Sequence, residues 1–412
     1  MSLPPCAPGF VDRGLRVTMF DPGNFTPYYV DGLCSALSRL GVEVSLATSP
    51  PLFEPCARSG NYGVDYRFSR CLGHPPLGFL RRHMRLRQAV KALSYPAGVW
   101  RTWKALCRFQ SGRPSVFHLQ WALLPVVDGL AIRSLRARGW GIVYTVHEVP
   151  AQSAWAIQRR QLRSLLDLAH AIIVHTPTLA GALSRQFEGA HSRIHVVPLG
   201  SEIRPVPSEG DQARARQTLR LKPSDNVLLC FGMIKPHKGL HFLLEALPAI
   251  LKSFPNTTLL VAGEPLMNLR PVQRLIDRLR IRGAVDLRLG FVPQADAPLF
   301  FQAADLVVVP YTRASASAVV AQAQSFARPV VATAVGALPE FVEEPGTGFL
   351  VPPASAEALA DAVCRALGDR DRLRQMGMTA RARLSQRNNW TTVAEQTCAL
   401  YRQVLASIAP RG

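Results

Sequence analysis

The chain has 412 residues, 48% hydrophobic and 18% charged. That is enough for two domains of about 200 residues each, and it excludes general disorder. No apolar stretch of about 20 uninterrupted residues occurs, so the sequence predicts no membrane span. Lys and Arg number 48 against 28 Asp and Glu, a net charge of +20 that points towards anionic partners.

Eight cysteines are scattered without a CxxC pair or a Cys/His cluster, which favours reduced thiols over a structural zinc. The start, MSLPPC, has no cationic stretch followed by an apolar one, so the expectation is a soluble cytoplasmic protein without a signal peptide.

In chain order, 16–20 (RVTMF) reads as a strand, 27–40 as a helix stopped by Gly41, and 42–47 as the next strand. Between Phe79 and Gln110 lie eight basic residues and no acid, interleaved with Leu86, Val90, Leu93, Trp100 and Trp103 among others. Such a segment suits an amphipathic helix or hairpin lying on anionic lipid at the inner face of the cytoplasmic membrane. A solvated helix face accounts for it equally well. Nucleic acid is not expected, since no recognised nucleic-acid motif accompanies the charge.

Further strands are predicted at 116–119, 142–146, 171–175 and 194–197. Strands separated by helices imply parallel crossovers, hence a doubly wound sheet over 1–198. A Pro- and Gly-rich stretch makes 199–210 a linker. The alternation restarts over 211–387, with strands at 227–231, 258–262, 285–289, 306–309 and 330–333. Helices are expected at 240–253, 271–282, 319–327 and 356–367, and 388–412 carries one last helix. Open α/β sheets bind ligands beyond the carboxyl ends of their strands, so the site is expected there, between the domains.

Three loops of the second domain carry chemistry. In FGMIKPHKGL, a strand ends at Gly232 and a helix begins near Gly239, with Lys235 and Lys238 between them. Two ammonium groups at such a turn suit a diphosphate; a Lys-rich surface turn would look the same. The run 310–333 has the order strand, small-residue turn, helix, strand; small residues at 314–318 let the backbone approach a ligand, and the following helix offers unpaired N–H groups and a positive dipole end. Val335–Glu340 is another Gly turn entering a short helix, where Glu340 could receive hydroxyls or simply favour the helix start.

The runs FGMIKPHKGL, AADLVVVPY, RPVVATAVGALPEFV and GTGFLVPP, in this order, resemble the donor domain of family-4 glycosyltransferases, in the branch with an IRPYKG-like loop. FTPYYVDGLCSALSRLGVEVSLATS, FHLQWALLP and VYTVHEVP resemble the acceptor domain of the same enzymes, and NNWTTVAEQTCALYRQVL their final helix, which crosses back to the first domain. The resemblance covers nearly the whole chain. It implies the GT-B fold, two Rossmann-like domains facing across a cleft, and retaining transfer from a UDP- or GDP-linked sugar without a metal or other cofactor. The implied acceptor is a glycan or a lipid-linked saccharide, in exopolysaccharide or cell-surface glycan synthesis.

By the resemblance, Gly232, Lys235 and Lys238 hold the donor diphosphate, and Ser317, Ala318 and Val319 offer it backbone N–H groups. Glu340 matches the Glu of the family's GG-x-x-E segment, with Ala337 in place of its second Gly. His147 matches the histidine beside the transferred sugar, while His118 and Gln120 line the acceptor wall. Two family carboxylates are replaced by Ala314 and Gln322; Gln322 can still bond a ribose, but Ala314 cannot bind a sugar hydroxyl. A second reading is therefore a nucleotide-sugar-binding GT-B protein without turnover, and a third is a transferase for a small soluble acceptor. Trp121 and Trp155 could stack on a sugar, with packing the plainer use.

Overall fold

The computed structural model describes residues 14–51, 60–68, 84–108, 113–149, 156–314 and 317–408, with the backbone alone at 84–89 and 91. Trp155 and the loop residues 315–316 lie outside this set. The chain divides into two compact units, residues 1–200 with 390–412, and 201–389.

The first unit is a seven-stranded parallel sheet in the order β3-β2-β1-β4-β5-β6-β7. Its strands are β1 (Arg16–Asp21), β2 (Glu43–Thr48), β3 (Gly63–Tyr66), β4 (Ser115–Leu119), β5 (Gly141–Thr145), β6 (Ala171–Val174) and β7 (Ile194–Val196). The helices are α1 (Pro27–Arg39), α2 (Met84–Arg108), α3 (Pro125–Ala137), α4 (Ala156–Leu168) and α5 (Pro177–Gln186). Six of the seven strands were predictable within two residues at each end, because each is an apolar run between turn residues. β3 was not, since GVDY is a short edge strand with no apolar run to mark it.

α2 answers in part to the basic segment. Tyr95, Val99, Thr102 and Leu106 are buried, while Leu93 is 83% exposed and Trp100 53% exposed, with Lys104 Nζ 4.8 Å from the Trp100 ring centroid. Arg101 is committed elsewhere: its guanidinium donates to the Arg67 carbonyl, and Arg67 donates back to the Arg101 carbonyl. Arg81 and Arg82, and the side chains of Arg85, Arg87 and Lys91, lie outside the described residues. At the start of α3, the buried Tyr95 hydroxyl donates to Asp128 Oδ1 at 2.6 Å. Burial raises the Asp128 carboxyl to about 7.

The second unit is a six-stranded parallel sheet in the order β10-β9-β8-β11-β12-β13. Its strands are β8 (Asn226–Phe231), β9 (Thr257–Gly263), β10 (Val285–Leu289), β11 (Leu306–Val309), β12 (Val330–Thr333) and β13 (Gly348–Val351). The helices are α6 (Glu209–Leu219), α7 (Leu240–Ser253), α8 (Arg270–Arg278), α9 (Ala297–Ala303), α10 (Ala318–Ser325), α11 (Leu338–Phe341), α12 (Ala356–Leu367) and α13 (Arg370–Arg387). α6 starts inside the stretch read as linker, with a capping box formed by Ser208 and Asp211. α8 stops short of the predicted 282 because the chain turns left-handed at Arg280, φ 56.

The final helix, α14 (Trp390–Ile408), belongs to the first unit. Val393, Leu400, Tyr401 and Val404 join Val17, Leu33 and Leu37 in one core. The Trp390 ring lies against Gly32 and Gly200, where an added Cβ would sit 2.2 Å from it. Larger residues at either glycine would expel the ring.

Candidate functional site

In the first unit, three neighbouring parallel strands each end in a polar residue, and these ends converge. β4 runs into Gln120 and Trp121, β5 into His147 and β6 into His175. His147 Nε2 lies 2.9 Å from Gln120 Oε1, and His147 Nδ1 lies 3.2 Å from His175 Nε2. His175 Nδ1 is 3.1 Å from the Val197 carbonyl oxygen. Trp121 stacks on the His147 ring at 4.9 Å and 12°, Tyr29 from α1 meets His147 and His175 edge-on, and Trp390 closes against Tyr29. Trp121 Nε1 donates to Thr26 Oγ1 at 3.3 Å.

His147 is only partly buried, as are Tyr29, Trp121 and Trp390 around it, whereas His175 is buried. Both His147 nitrogens already have partners within the unit. Burial drives the imidazole well below its usual value, with the neighbouring His175 and His118 adding to the effect. Neutral and held on both sides, it can orient a ligand but has no spare nitrogen with which to act as acid or base.

His118 and Gln120 do not line a wall in this structure. His118 is fully buried, with Nδ1 2.6 Å from the Tyr401 hydroxyl and Nε2 2.6 Å from Thr145 Oγ1. Burial lowers it to about 3, so it is a neutral core histidine tying β4 to β5 and to α14. The reason is register: His118 is paired within β4 on the face that α14 covers, and a strand interior cannot reach the sheet's carboxyl edge. Gln120 is 1% exposed and spends its amide on His147, His118 and Met19. Its amide is buried against His147.

In the second unit the three predicted loops are packed together at the carboxyl ends of β8, β11 and β12. Gly232 ends β8 at φ 101, with Val319 of α10 against it. Gly239 has φ 68, and a Cβ there would lie 1.8 Å from the Pro310 carbonyl oxygen. Gly336 has φ 53, and its Cβ would fall 1.7 Å from the Ala314 carbonyl oxygen. These two glycines let the loops approach backbone to backbone. Thr312 N donates to the His237 carbonyl at 2.9 Å, fixing the lysine loop to the end of β11.

The two lysines part company. Lys238 Nζ sits 3.7 Å from the centroid of the buried Tyr311 ring, just past β11. Lys235 lines a cavity of about 560 Å³ between α7 and α8, with His241, Met267, Arg274 and Arg278. Lys235 is extended, φ −130 and ψ 158, ahead of a 3-10 turn over Pro236–Lys238.

Ser317 caps α10, accepting from Val320 N, which leaves the first-turn N–H groups of Ala318 and Val319 without helical acceptors. Gln322 follows one turn after Ala318 on the same helix and is part-exposed. Glu340 is exposed in the first turn of the short α11. The chain's one Asp-x-Asp spacing, Asp369 to Asp371, lies at the start of α13, where Asp369 caps the helix by accepting from Arg372 N at 2.9 Å.

Comparison with known proteins decides the family. Residues 27–200 match a family model described as glycosyl transferase 4-like domain, and residues 225–369 match glycosyl transferases group 1. The chain is 33% identical over 409 residues to a D-inositol 3-phosphate glycosyltransferase from Segniliparus rotundus, covering 93% of this chain and 85% of that one. The chain belongs to the family-4-type glycosyltransferases. A second relative with the same name, from Actinosynnema mirum, is 30% identical to this glycosyltransferase over 373 residues, 84% of each chain. Among solved structures, sucrose-phosphate synthase from Thermosynechococcus elongatus superposes with a TM-score of 0.73 at 22% identity, covering 95% of this chain and 100% of that one. Alr3699/HepE of Anabaena, solved in complex with UDP-glucose, gives 0.69 at 20% identity over 95% and 99%. Both likenesses establish the fold of the glycosyltransferase as GT-B.

Sequence reasoning passed over His175, Tyr29 and Trp390. For His175 a signal existed: VYTVH and AIIVH are two adjacent strand-ends of the same form. Nothing local marks Tyr29 or Trp390, whose roles come from α1 and α14 meeting across the sheet end.

Proposed function

We propose that this glycosyltransferase transfers a sugar from a UDP-linked donor, with retention and without a metal ion, to a glycan or lipid-linked acceptor in cell-surface or exopolysaccharide synthesis. The observation that carries the reading is the joining of the three donor loops around Gly232, Lys238 and the open end of α10. Lys238 and the N–H groups of Ala318 and Val319 supply fixed positive charge for a diphosphate whose charge grows as the sugar leaves. Gln322 takes the ribose, Glu340 a sugar hydroxyl, and His147 orients the transferred sugar as a fixed neutral ring. The departing phosphate oxygen accepts the proton of the acceptor hydroxyl, which attacks on the face the phosphate leaves.

UDP is chosen over GDP because the solved Alr3699/HepE chain, of the same fold, is described with UDP and UDP-glucose. The outer face of α2, with Leu93, Trp100 and Lys104, supports an acceptor at an anionic membrane surface. A small soluble acceptor is the second reading, favoured by the D-inositol 3-phosphate named for the relatives.

Vesicle sedimentation with phosphatidylglycerol and with phosphatidylcholine separates the two. The first reading expects binding to the anionic vesicles that the double variant Leu93→Asp/Trp100→Asp abolishes. Equal partition of wild type and variant, with transfer to soluble inositol phosphate, would overturn it. Binding of UDP with no transfer to any acceptor would leave a nucleotide-binding protein without turnover.

A further inference from the structure

The His147 cluster contains a directional constraint that its distances alone do not display. The Val197 carbonyl can only accept, so His175 Nδ1, 3.1 Å away, must carry a proton. A neutral His175 then has a bare Nε2, which can only accept from His147 Nδ1 at 3.2 Å. A neutral His147 is in turn bare at Nε2. It needs a donor at 2.9 Å, and among the described residues the group there is the Gln120 amide.

With the amide oxygen facing His147, as it is placed, the array requires one more proton, on His147 Nε2 or shared with His175. With the amide turned over, its NH₂ donates to His147 and gives up the 3.0 Å contact with Met19 Sδ, while its oxygen accepts at 3.2 Å from the His118 Nε2 proton that also points to Thr145 Oγ1 at 2.6 Å. The Tyr401 hydroxyl then donates to the bare His118 Nδ1 at 2.6 Å. Every imidazole is then neutral, and the hydrogen bonds run in one direction from Tyr401 to Val197.

We propose that Gln120 and His175 are positioning residues that hold His147 as the neutral Nδ1–H tautomer, and that the Gln120 amide turns over when the His147–His175 pair takes up a proton. This rests on His147 being the sugar-orienting group, but the tautomer exists without substrate. Burial lowers His175 to about 4 and His147 well below its usual value, which agrees with the neutral form at physiological pH.

The titratable groups on the packed elements are Tyr29 and Asp31 on α1, Asp21 on β1, His118 on β4 and Tyr401 on α14, with the exposed Glu148 beside His147. Asp31 accepts from the Tyr62 hydroxyl, and Asp21 Oδ1 from Phe25 N. Among the described residues no carboxylate or guanidinium is hydrogen-bonded to the two rings, so the Gln120 amide is the group whose replacement should move their titration.

The test uses the full chain with ¹⁵N-labelled histidine and NMR of the imidazole nitrogens between pH 3.5 and 8, which brackets the lowered midpoints. The expected wild-type result is a neutral His147 at pH 7.5 protonated on Nδ1. Gln120→Glu replaces a donor by an obligate acceptor, so His147 Nε2 should gain a proton and its midpoint rise by about one pH unit or more. A wild-type His147 protonated on Nε2 when neutral would overturn the proposal, even if the variant fails to fold. So would a folded variant whose midpoint does not move. Correct titration with no sugar transfer would instead count against the function.

Discussion

Removing the Lys238 ammonium is the sharpest perturbation of the donor site. Lys238 Nζ is 3.7 Å from the Tyr311 ring centroid, and Tyr311 is 2% exposed, so the side chain is held against a rigid wall rather than waving in solvent. A bond from such a group to a charged phosphate contributes about 1.5–3 kcal/mol, which is roughly a 10- to 150-fold change in Kd. The cation–π contact with Tyr311 is smaller, about 0.5–1 kcal/mol, and belongs to the free protein as well. Lys238→Met keeps the apolar stem on the ring and removes the charge alone. Lys235 lines the α7–α8 cavity, so Lys235→Ala should change UDP affinity less than about threefold, below the scale of one charged contact. Calorimetric titration of UDP in EDTA reads both variants. Equal losses at the two lysines would return Lys235 to the diphosphate. Unchanged affinity in the double variant would refute the placement of the diphosphate altogether.

Other expectations follow from the packing. His118→Ala strips partners from the buried Tyr401 hydroxyl and Thr145, and should cost about 2–4 kcal/mol in urea unfolding while leaving UDP affinity within twofold. Gly239→Ala sets a Cβ against the Pro310 carbonyl at a positive φ, so nucleotide binding should fall at least tenfold or the protein should lose thermal stability; a wild-type Tm and Kd would contradict the loop packing. Asp128 has a folded-state value raised to about 7 above an ordinary value of 3.8. Its stabilising contribution is therefore full below the ordinary value and is lost as pH rises through 7. Asp128→Asn should be closer to wild type at pH 5 than a carboxylate deletion would suggest, and relatively more stable at pH 8, in paired urea melts. His147→Ala should leave UDP affinity nearly intact and reduce transfer; loss of nucleotide binding instead would assign the ring another role.

The two sheets were legible because their strands are apolar runs set between helices with 3.6-residue periodicity, and because glycines mark the strand-to-helix turns at Gly232 and Gly336. α13 was not, since RDRLRQMGMTARARLSQR offers few apolar residues and its burial of Leu373, Met376 and Leu384 depends on what lies beneath it. Direction was the harder problem at the sites. The sequence placed Lys235 and Lys238 in one loop but could not show that Lys238 lies on the Tyr311 ring while Lys235 lines the α7–α8 cavity. It likewise put His118 and Gln120 beside His147, yet whether a strand-end side chain faces a ligand or the core depends on α14, some 280 positions away in the chain. The family resemblance supplied roles for positions; burial and hydrogen bonding then reassigned two of them from contact to support.

Nucleotide-sugar transfer with retention at a metal-free site can be read in a single reaction. The purified chain is incubated with UDP-glucose and related UDP- and GDP-sugars in EDTA, with lipid-linked, glycan and inositol phosphate acceptors, and products are read by proton NMR of the anomeric signal. Acceptor-dependent release of UDP is expected, undiminished by EDTA, with a product of the donor's anomeric configuration. An inverted product, or turnover that EDTA abolishes and a divalent ion restores, would contradict the proposed function.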